Sequence, residues 1–256
     1  MLDLTNKKSL YTIFTRKKRN GKKRIIHAPC EELKLEQKRL AKILEDREPI
    51  SEHCYGFVKG LSSVSAASNH INKDWILCLD IKDFFPSIRR EFLAFLTDEE
   101  FNIASLDDRL IQGSPCSPII TNIALREFDT RVGNMCKNMD IAYSRYADDI
   151  TISGSGWVET KPLIDYIKNL LKQYGLKLRH EKTELMTKNE SQKVLGINVN
   201  NKISINSKIR KNIRAAIHQN NIDEKVQGYL AYIYSVNKAQ YMKLMKTDID
   251  SIPEIP

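Results

Sequence analysis

The stretch RYADDITISG, residues 145–154, sets Asp148 and Asp149 side by side ahead of an apolar run. Adjacent carboxylates repel, and burial raises the free energy of keeping either one charged. A solvated hairpin turn would tolerate the pair; a divalent cation would cancel the repulsion and give it chemistry. Choosing between them needs a third carboxylate, and Asp80 is the candidate. It closes the apolar strand WILCLDI (75–81), where an uncompensated charge is unfavourable. An Asp at a strand end and an Asp pair at a hairpin turn, on neighbouring strands of one sheet, converge on one spot. Hard oxygen ligands of this kind select Mg²⁺ or Mn²⁺. Two such ions about 3.5–4 Å apart clamp an in-line phosphoryl transfer. Together these residues point to a metal-dependent nucleotidyl transferase.

The elements that must position the carboxylates can be read outward from them. IAYSRYA and ITISG are strands with the aspartates at the turn between them, and WILCLDI is too short and apolar for a surface helix. Pro86 turns the chain away from that strand. A charged helical stretch spans 89–109, ahead of the Gly-Ser-Pro loop QGSPCSP (112–118). IITNIALREFDTRVGNMCKNM opens a helix after the last proline of that loop. TKPLIDYIKNLLKQYG (160–175) is an amphipathic helix stopped by Gly175. Upstream, the basic TRKKRNGKKRIIHAP (15–29) folds back at Asn20-Gly21 as a hairpin. CEELKLEQKRLAKILEDR (30–47) carries Leu33, Leu40 and Leu44 at helical spacing, and SVSAASNHINK (63–73) is a second helix. KVLGINVNNKISI (193–205) is a hairpin through Asn200-Asn201, and the remainder to about 248 is helical and basic with a frayed tail. The order is a basic hairpin and helices, then β-α-β-β-α-β, then a helical end.

Charge narrows the partner. The 256 residues carry 41 Lys plus Arg against 32 Asp plus Glu, a formal +9, which suits a polyanion and favours nucleic acid over an anionic membrane. The five cysteines (30, 54, 78, 116, 136) stand apart without a CxxC or a His cluster, so a reducing compartment is expected and a zinc site is not. No apolar run approaches a membrane span, and the expected location is the cytoplasm.

LCLDIKDFF, QGSPCSPIITNIAL and YADD, in this order, closely resemble motifs of the reverse transcriptase palm. Flanking matches run from RIIHAP through CYGFVKGLSS, GLKLRHEKTELM and KVLGINVN to VQGYLAYIYSVNKAQY, about residues 22–242. The resemblance is to the bacterial retron and group II intron branch, and it leaves no room for an RNase H, maturase or endonuclease extension. Two retron-specific places match in part. Ala66-Ala67-Ser68-Asn69-His70 keeps the Ala and His of an Asn-Ala-x-x-His element, and Val194-Leu195-Gly196 stands where Val-Thr-Gly is usual. Ile111 stands where a Pro is usual.

The resemblance implies an α/β (α+β) right-hand polymerase fold. Its fingers would span 1–74, an RRM-like palm 75–200 with part of the fingers inserted near 95–115, a helical thumb 201–248, and a flexible tail 249–256. It implies Asp80, Asp148 and Asp149 as catalytic residues holding two Mg²⁺ (Mn²⁺ possible), with the Ile81 carbonyl as a further ligand. Phe85 would crowd the sugar 2′ position and select dNTPs, with Phe84 facing the core; the alternative is two core aromatics. Asp83 would cap the turn. Gln112 and Gly113 would meet the incoming nucleotide and template base, and Lys23 and Arg24 would clasp the triphosphate. Lys182 would protonate the leaving pyrophosphate. Ala67 and His70, with Lys208, Arg210, Lys211 and Arg214 on a thumb helix, would contact nucleic acid. The expected partners are dNTPs, a structured non-coding RNA that is both template and primer, its cDNA, and a possible effector protein, without a membrane. The expected activity is RNA-directed DNA synthesis yielding a branched RNA–DNA in phage defence. The alternatives are a group II-like or other defence reverse transcriptase, or an RNA-binding scaffold without polymerase activity.

Overall fold

The structure is a computed structural model that describes residues 4, 6–17, 21, 23–156, 158–219 and 221–245. The basic N-terminal stretch forms the antiparallel hairpin of β1 (Tyr11–Lys17) and β2 (Lys23–Pro29). Asn20 of its expected turn and the tail 249–256 lie outside the described residues. Helix α1 (Glu31–Arg47) buries Leu33, Leu40 and Leu44 on one face and ends ahead of Pro49. Helix α2 (Ser63–Ser68) is shorter than the expected 63–73. A Ser62–Ser65 capping box starts it, and left-handed Asn72 (φ 56°) turns the chain into the next strand.

That strand, β3 (Trp75–Asp80), explains its own apolar composition. Trp75, Leu77 and Leu79 enter one core, with Ile81 just beyond, while Ile76 enters another on the opposite face of the sheet. One helical turn, α3 (Phe84–Ser87), follows.

The expected charged helix over 89–109 is broken into pieces. A 3-10 turn (Arg90–Leu93) precedes α4 (Asp98–Ala104), which opens on a Thr97–Glu100 capping box. The two-residue strands β4 (Ser105–Leu106) and β5 (Arg109–Leu110) then pair around Asp107 and Asp108. Both aspartates are left-handed (φ 48° and 57°), as a tight hairpin turn requires and a helix forbids.

Helices α5 (Ser117–Ala124) and α6 (Arg126–Asn138) form one run interrupted at Leu125. The hairpin strands β6 (Ala142–Tyr146) and β7 (Asp149–Gly154) follow, then α7 (Thr160–Gln173), after which Gly175 takes φ +70°. β8 (Glu184–Thr187) completes an antiparallel sheet of order β6-β7-β3-β8. The larger core packs α1, α5, α6 and α7 against one face of this sheet.

The tight turn of the next hairpin is at Leu195-Gly196 (φ 52° and 81°), between β9 (Lys193–Val194) and β10 (Ile197–Asn198), rather than at Asn200-Asn201. The asparagines lie in a second reversal, closed by paired hydrogen bonds between Asn198 and Ser204. α8 (Ser207–His218), α9 (Glu224–Val236) and α10 (Lys238–Met245) end the described chain. Their Ile213, Leu230, Ile233 and Leu244 cover the other sheet face with Ile76 and Met186.

Candidate active site

Register brings the carboxylates together. Asp80, the last residue of β3, lies directly opposite Asp149, the first of β7, and Asp148 occupies the two-residue turn between β6 and β7. Ala147 in that turn is left-handed (φ 54°), and the Ile81 N–H donates to the Asp148 carbonyl at 2.8 Å. Asp80 is 3% exposed. Arg179 Nη1 stands 3.0 Å from its Oδ1, and Lys182 Nζ donates to its Oδ2.

The electrostatics fit a cation. Asp80 Oδ1 is buried and has an ionic neighbour but no hydrogen bond. Desolvation, then the Asp148 and Asp80 charges, push the Asp149 carboxyl up to about 6 against the pull of Lys182. Asp148 is raised as well, by desolvation first and by Asp80, with Lys182 and Arg24 opposing. Among the described residues no three His, Cys, Asp or Glu side chains close on a common point. Arg179 and Lys182 neutralise Asp80 in that role. Hard carboxylate oxygens, one of them without a hydrogen bond, are the donor set that a Mg²⁺-class ion takes.

A buried polar network fixes the turn. Arg145 and Asp129 are both fully buried and pair through two hydrogen bonds, Nε to Oδ1 at 2.8 Å and Nη2 to Oδ2 at 2.7 Å. Arg145 Nη1 also donates to the Ala147 carbonyl and to Asn122 Oδ1, each at 3.2 Å. Tyr143 Oη donates to Asp129 Oδ1 at 2.6 Å, and Asn122 Nδ2 to the Gly56 carbonyl at 2.8 Å. Burial and the Asp129 charge hold the Tyr143 phenol well above its ordinary range. Gly56 lies so close that a Cβ there would stand 2.6 Å from the Ala147 nitrogen. Sequence reasoning passed over Arg145, Asp129, Asn122, Gly56 and Arg179. The available signal was Tyr143 and Arg145 at period two on one strand face, a charge beside an aromatic just ahead of the turn.

In front of the turn is a cleft of about 610 Å³, lined by Lys23, Arg24, Phe85, Gln112, Asp148 and Arg179 among others. The fold therefore gathers five of the residues singled out from the sequence. Phe84 is buried and Phe85 half-buried, their ring centroids 5.3 Å apart. Gly113 (φ +120°) lets its loop abut β2, where a Cβ would meet the His27 carbonyl at 2.4 Å and the His27 N–H donates to the Gln112 carbonyl. Asp83 makes no capping hydrogen bond; it is left-handed and faces Arg179 at 3.7 Å.

Two expected nucleic-acid contacts are corrected by burial. Ala67 and His70 are 0% exposed, so neither presents a side chain to a ligand. His70 bridges strands instead, its Nδ1 2.7 Å from Ser153 Oγ and its Nε2 2.7 Å from Ser144 Oγ. Burial pulls its pKa down to about 3. On α8, Lys208, Lys211 and Arg214 are exposed, whereas Arg210 is half-buried and its Nε has no hydrogen bond.

A family model described as reverse transcriptase (RNA-dependent DNA polymerase) matches residues 15–199. The retron Mx65 reverse transcriptase of Myxococcus xanthus is 28% identical over 271 residues, covering 92% of this chain and 64% of the relative. The retron Ec86 reverse transcriptase of Escherichia coli is 29% identical over 253 residues, covering 92% and 79%. This chain thus spans under two thirds of the first relative's length. Among solved structures, a foamy viral protease-reverse transcriptase in complex with double-stranded DNA matches with TM-score 0.52 and 16% identity, over 93% of this chain and 39% of that one. The telomerase of Candida albicans matches with TM-score 0.51 and 13% identity, over 93% and 57%. At such identities these two likenesses concern the fold alone.

Proposed function

Because this chain belongs to the reverse transcriptase family, we propose that it is an RNA-directed DNA polymerase, with fingers over 1–74, palm over 75–200 and thumb over 201–248. One observation carries the reading. Asp80 and Asp149 face each other in register beside Asp148, and Asp148 lines a cleft that also presents Lys23, Arg24, Arg179 and the half-buried Phe85. Two Mg²⁺ held by Asp80, Asp148, Asp149 and the Ile81 carbonyl would supply activation of the primer hydroxyl and charge neutralisation at the triphosphate. Lys23 and Arg24 grip the triphosphate from β2. Phe85 crowds the sugar edge, and Gln112 on its Gly113-supported loop shapes the nucleotide wall. Lys182, which pairs with Asp80, passes a proton to the leaving pyrophosphate. Lys208, Lys211 and Arg214 meet the backbone of the bound nucleic acid.

The finer reading is retron-like: a dedicated structured RNA serves as template and primer, and a branched RNA–DNA forms in the cytoplasm in phage defence. The retron relatives support it, as does the partial Val194-Leu195-Gly196 match. Primer extension on an RNA template with dNTPs tests the activity, run with Mg²⁺, with EDTA, and with Asp148→Asn. That substitution keeps shape and removes a charge the ions need. Extension by the variant within a few-fold of wild type would refute the two-ion assignment. Purification from the host at high salt, followed by debranching, tests the product: a heterogeneous RNA pool without attached DNA would sink the retron reading.

A further inference from the structure

A second cleft, of about 620 Å³, opens between α7 and the segment 176–181, and Arg179 lines both it and the first cleft. Lys82, Lys168, Lys172, Lys177, Arg179 and His180 line it. Its floor is the buried pair Leu176 and Leu178, and the Lys82 N–H donates to the Lys177 carbonyl at 2.8 Å, which fixes one wall. Glu181 is the single carboxylate on the lining. The four lysines are exposed, and among the described residues none of them is in an ion pair; the lysines that are paired lie elsewhere, at Lys8, Lys34, Lys182 and Lys188. Lys168 and Lys172 stand one helical turn apart on α7, where like charges repel. Clustered like charge around a concave floor gives a positive potential that attracts an anion.

We propose that this cleft holds backbone phosphates of a single-stranded RNA segment that extends beyond the catalytic cleft. The inference rests on the polymerase reading only in supplying a nucleic acid as the anion. Lysines suit a flexible strand: their ammoniums are mobile point charges that follow a backbone, whereas the rigid guanidinium fork favours one fixed phosphate. Arg179 links the two sites, since it pairs with Asp80 on one side and lines the basic cleft on the other. A strand leaving the catalytic cleft past Arg179 would meet these lysines.

The test compares wild type with Lys168→Gln/Lys172→Gln on two probes. One is a short primer–template duplex, and the other is the same duplex carrying a long single-stranded RNA tail. For the tailed probe, the slope of log affinity against log salt should become shallower by about 1.4, or 0.7 per lost phosphate contact. Affinity for the short duplex and its extension rate should not change. A control with two other exposed lysines removed, Lys59→Gln/Lys161→Gln, should leave the slope unchanged. An unaltered slope in the first variant, an equal loss in the control, or lost extension of the short duplex would each overturn the proposal. If wild type extends no primer at all, the polymerase reading fails while the slope still decides this one.

Discussion

Asp129→Asn is the most informative single change, because it separates holding the fold from aiming the turn that carries Asp148. It leaves the Arg145 guanidinium fully buried without its counter-ion, and the neutral amide cannot accept both the 2.8 Å and 2.7 Å bonds at charged strength. Removing one partner of a buried pair costs about 3–5 kcal/mol. At about 2–4 °C per kcal/mol for a chain this long, the midpoint should fall by about 6–20 °C. Urea unfolding measures the loss, and primer extension well below the midpoint measures the turn. The decisive comparison is Asp129→Leu/Tyr143→Phe/Arg145→Met, which replaces the network with apolar side chains of similar volume. Such replacements commonly recover stability, but this one lacks the Arg145 bond to the Ala147 carbonyl. Stability should rise above that of Asp129→Asn while extension stays depressed. If extension recovers together with stability, the network holds the core and does not aim the turn. If Asp129→Asn unfolds and extends like wild type, the reasoning about the buried charge is wrong.

Further outcomes follow from the same geometry. Phe85→Val should lower the dNTP-over-rNTP ratio of kcat/KM by about 10–200-fold by opening the sugar edge, and an unchanged ratio would make Phe85 a core aromatic. His70 has a folded pKa of about 3, below its unfolded value, so its contribution is complete above the unfolded pKa and is lost as pH falls toward the folded one. Wild type should therefore lose about 2 kcal/mol more than His70→Gln between pH 7 and pH 5, and equal losses in urea unfolding would refute this. With Asp149 raised to about 6, protons compete with metal below that pH. The Mg²⁺ concentration for half-maximal extension should then rise up to about 10-fold per pH unit of acidification, and a flat dependence would remove Asp149 from the ligand set.

The sequence by itself determined the family and the fold class, and it singled out the three carboxylates proposed as metal ligands. Those readings rest on local, ordered signals: an apolar run ending in Asp80, a hairpin carrying Asp148 and Asp149, and a Gly-Ser-Pro loop between them. The family and fold agree with the matched residues 15–199 and with the likeness to solved polymerases. Helices with a clean apolar stripe, α1 and α7, were legible for the same reason. What failed was local chemistry hidden by composition. The charged run at 89–109 looks helical until Asp107 and Asp108 take left-handed backbone, and the tight turn at Leu195-Gly196 lost to the more familiar Asn-Asn pair. Burial was decided only by the tertiary structure. His70 becomes a strand-bridging core histidine because two serine hydroxyls, 74 and 83 residues away, converge on its ring nitrogens. Arg145 acquires its role from an aspartate on α6 and a glycine loop near residue 56. Arg179 acquires its role from Asp80, which ends the interior strand β3 in a distant part of the sequence. No local pattern encodes such partners, because a buried charge is tolerated only when distant segments arrive to satisfy it, and that arrival is a property of the packed chain.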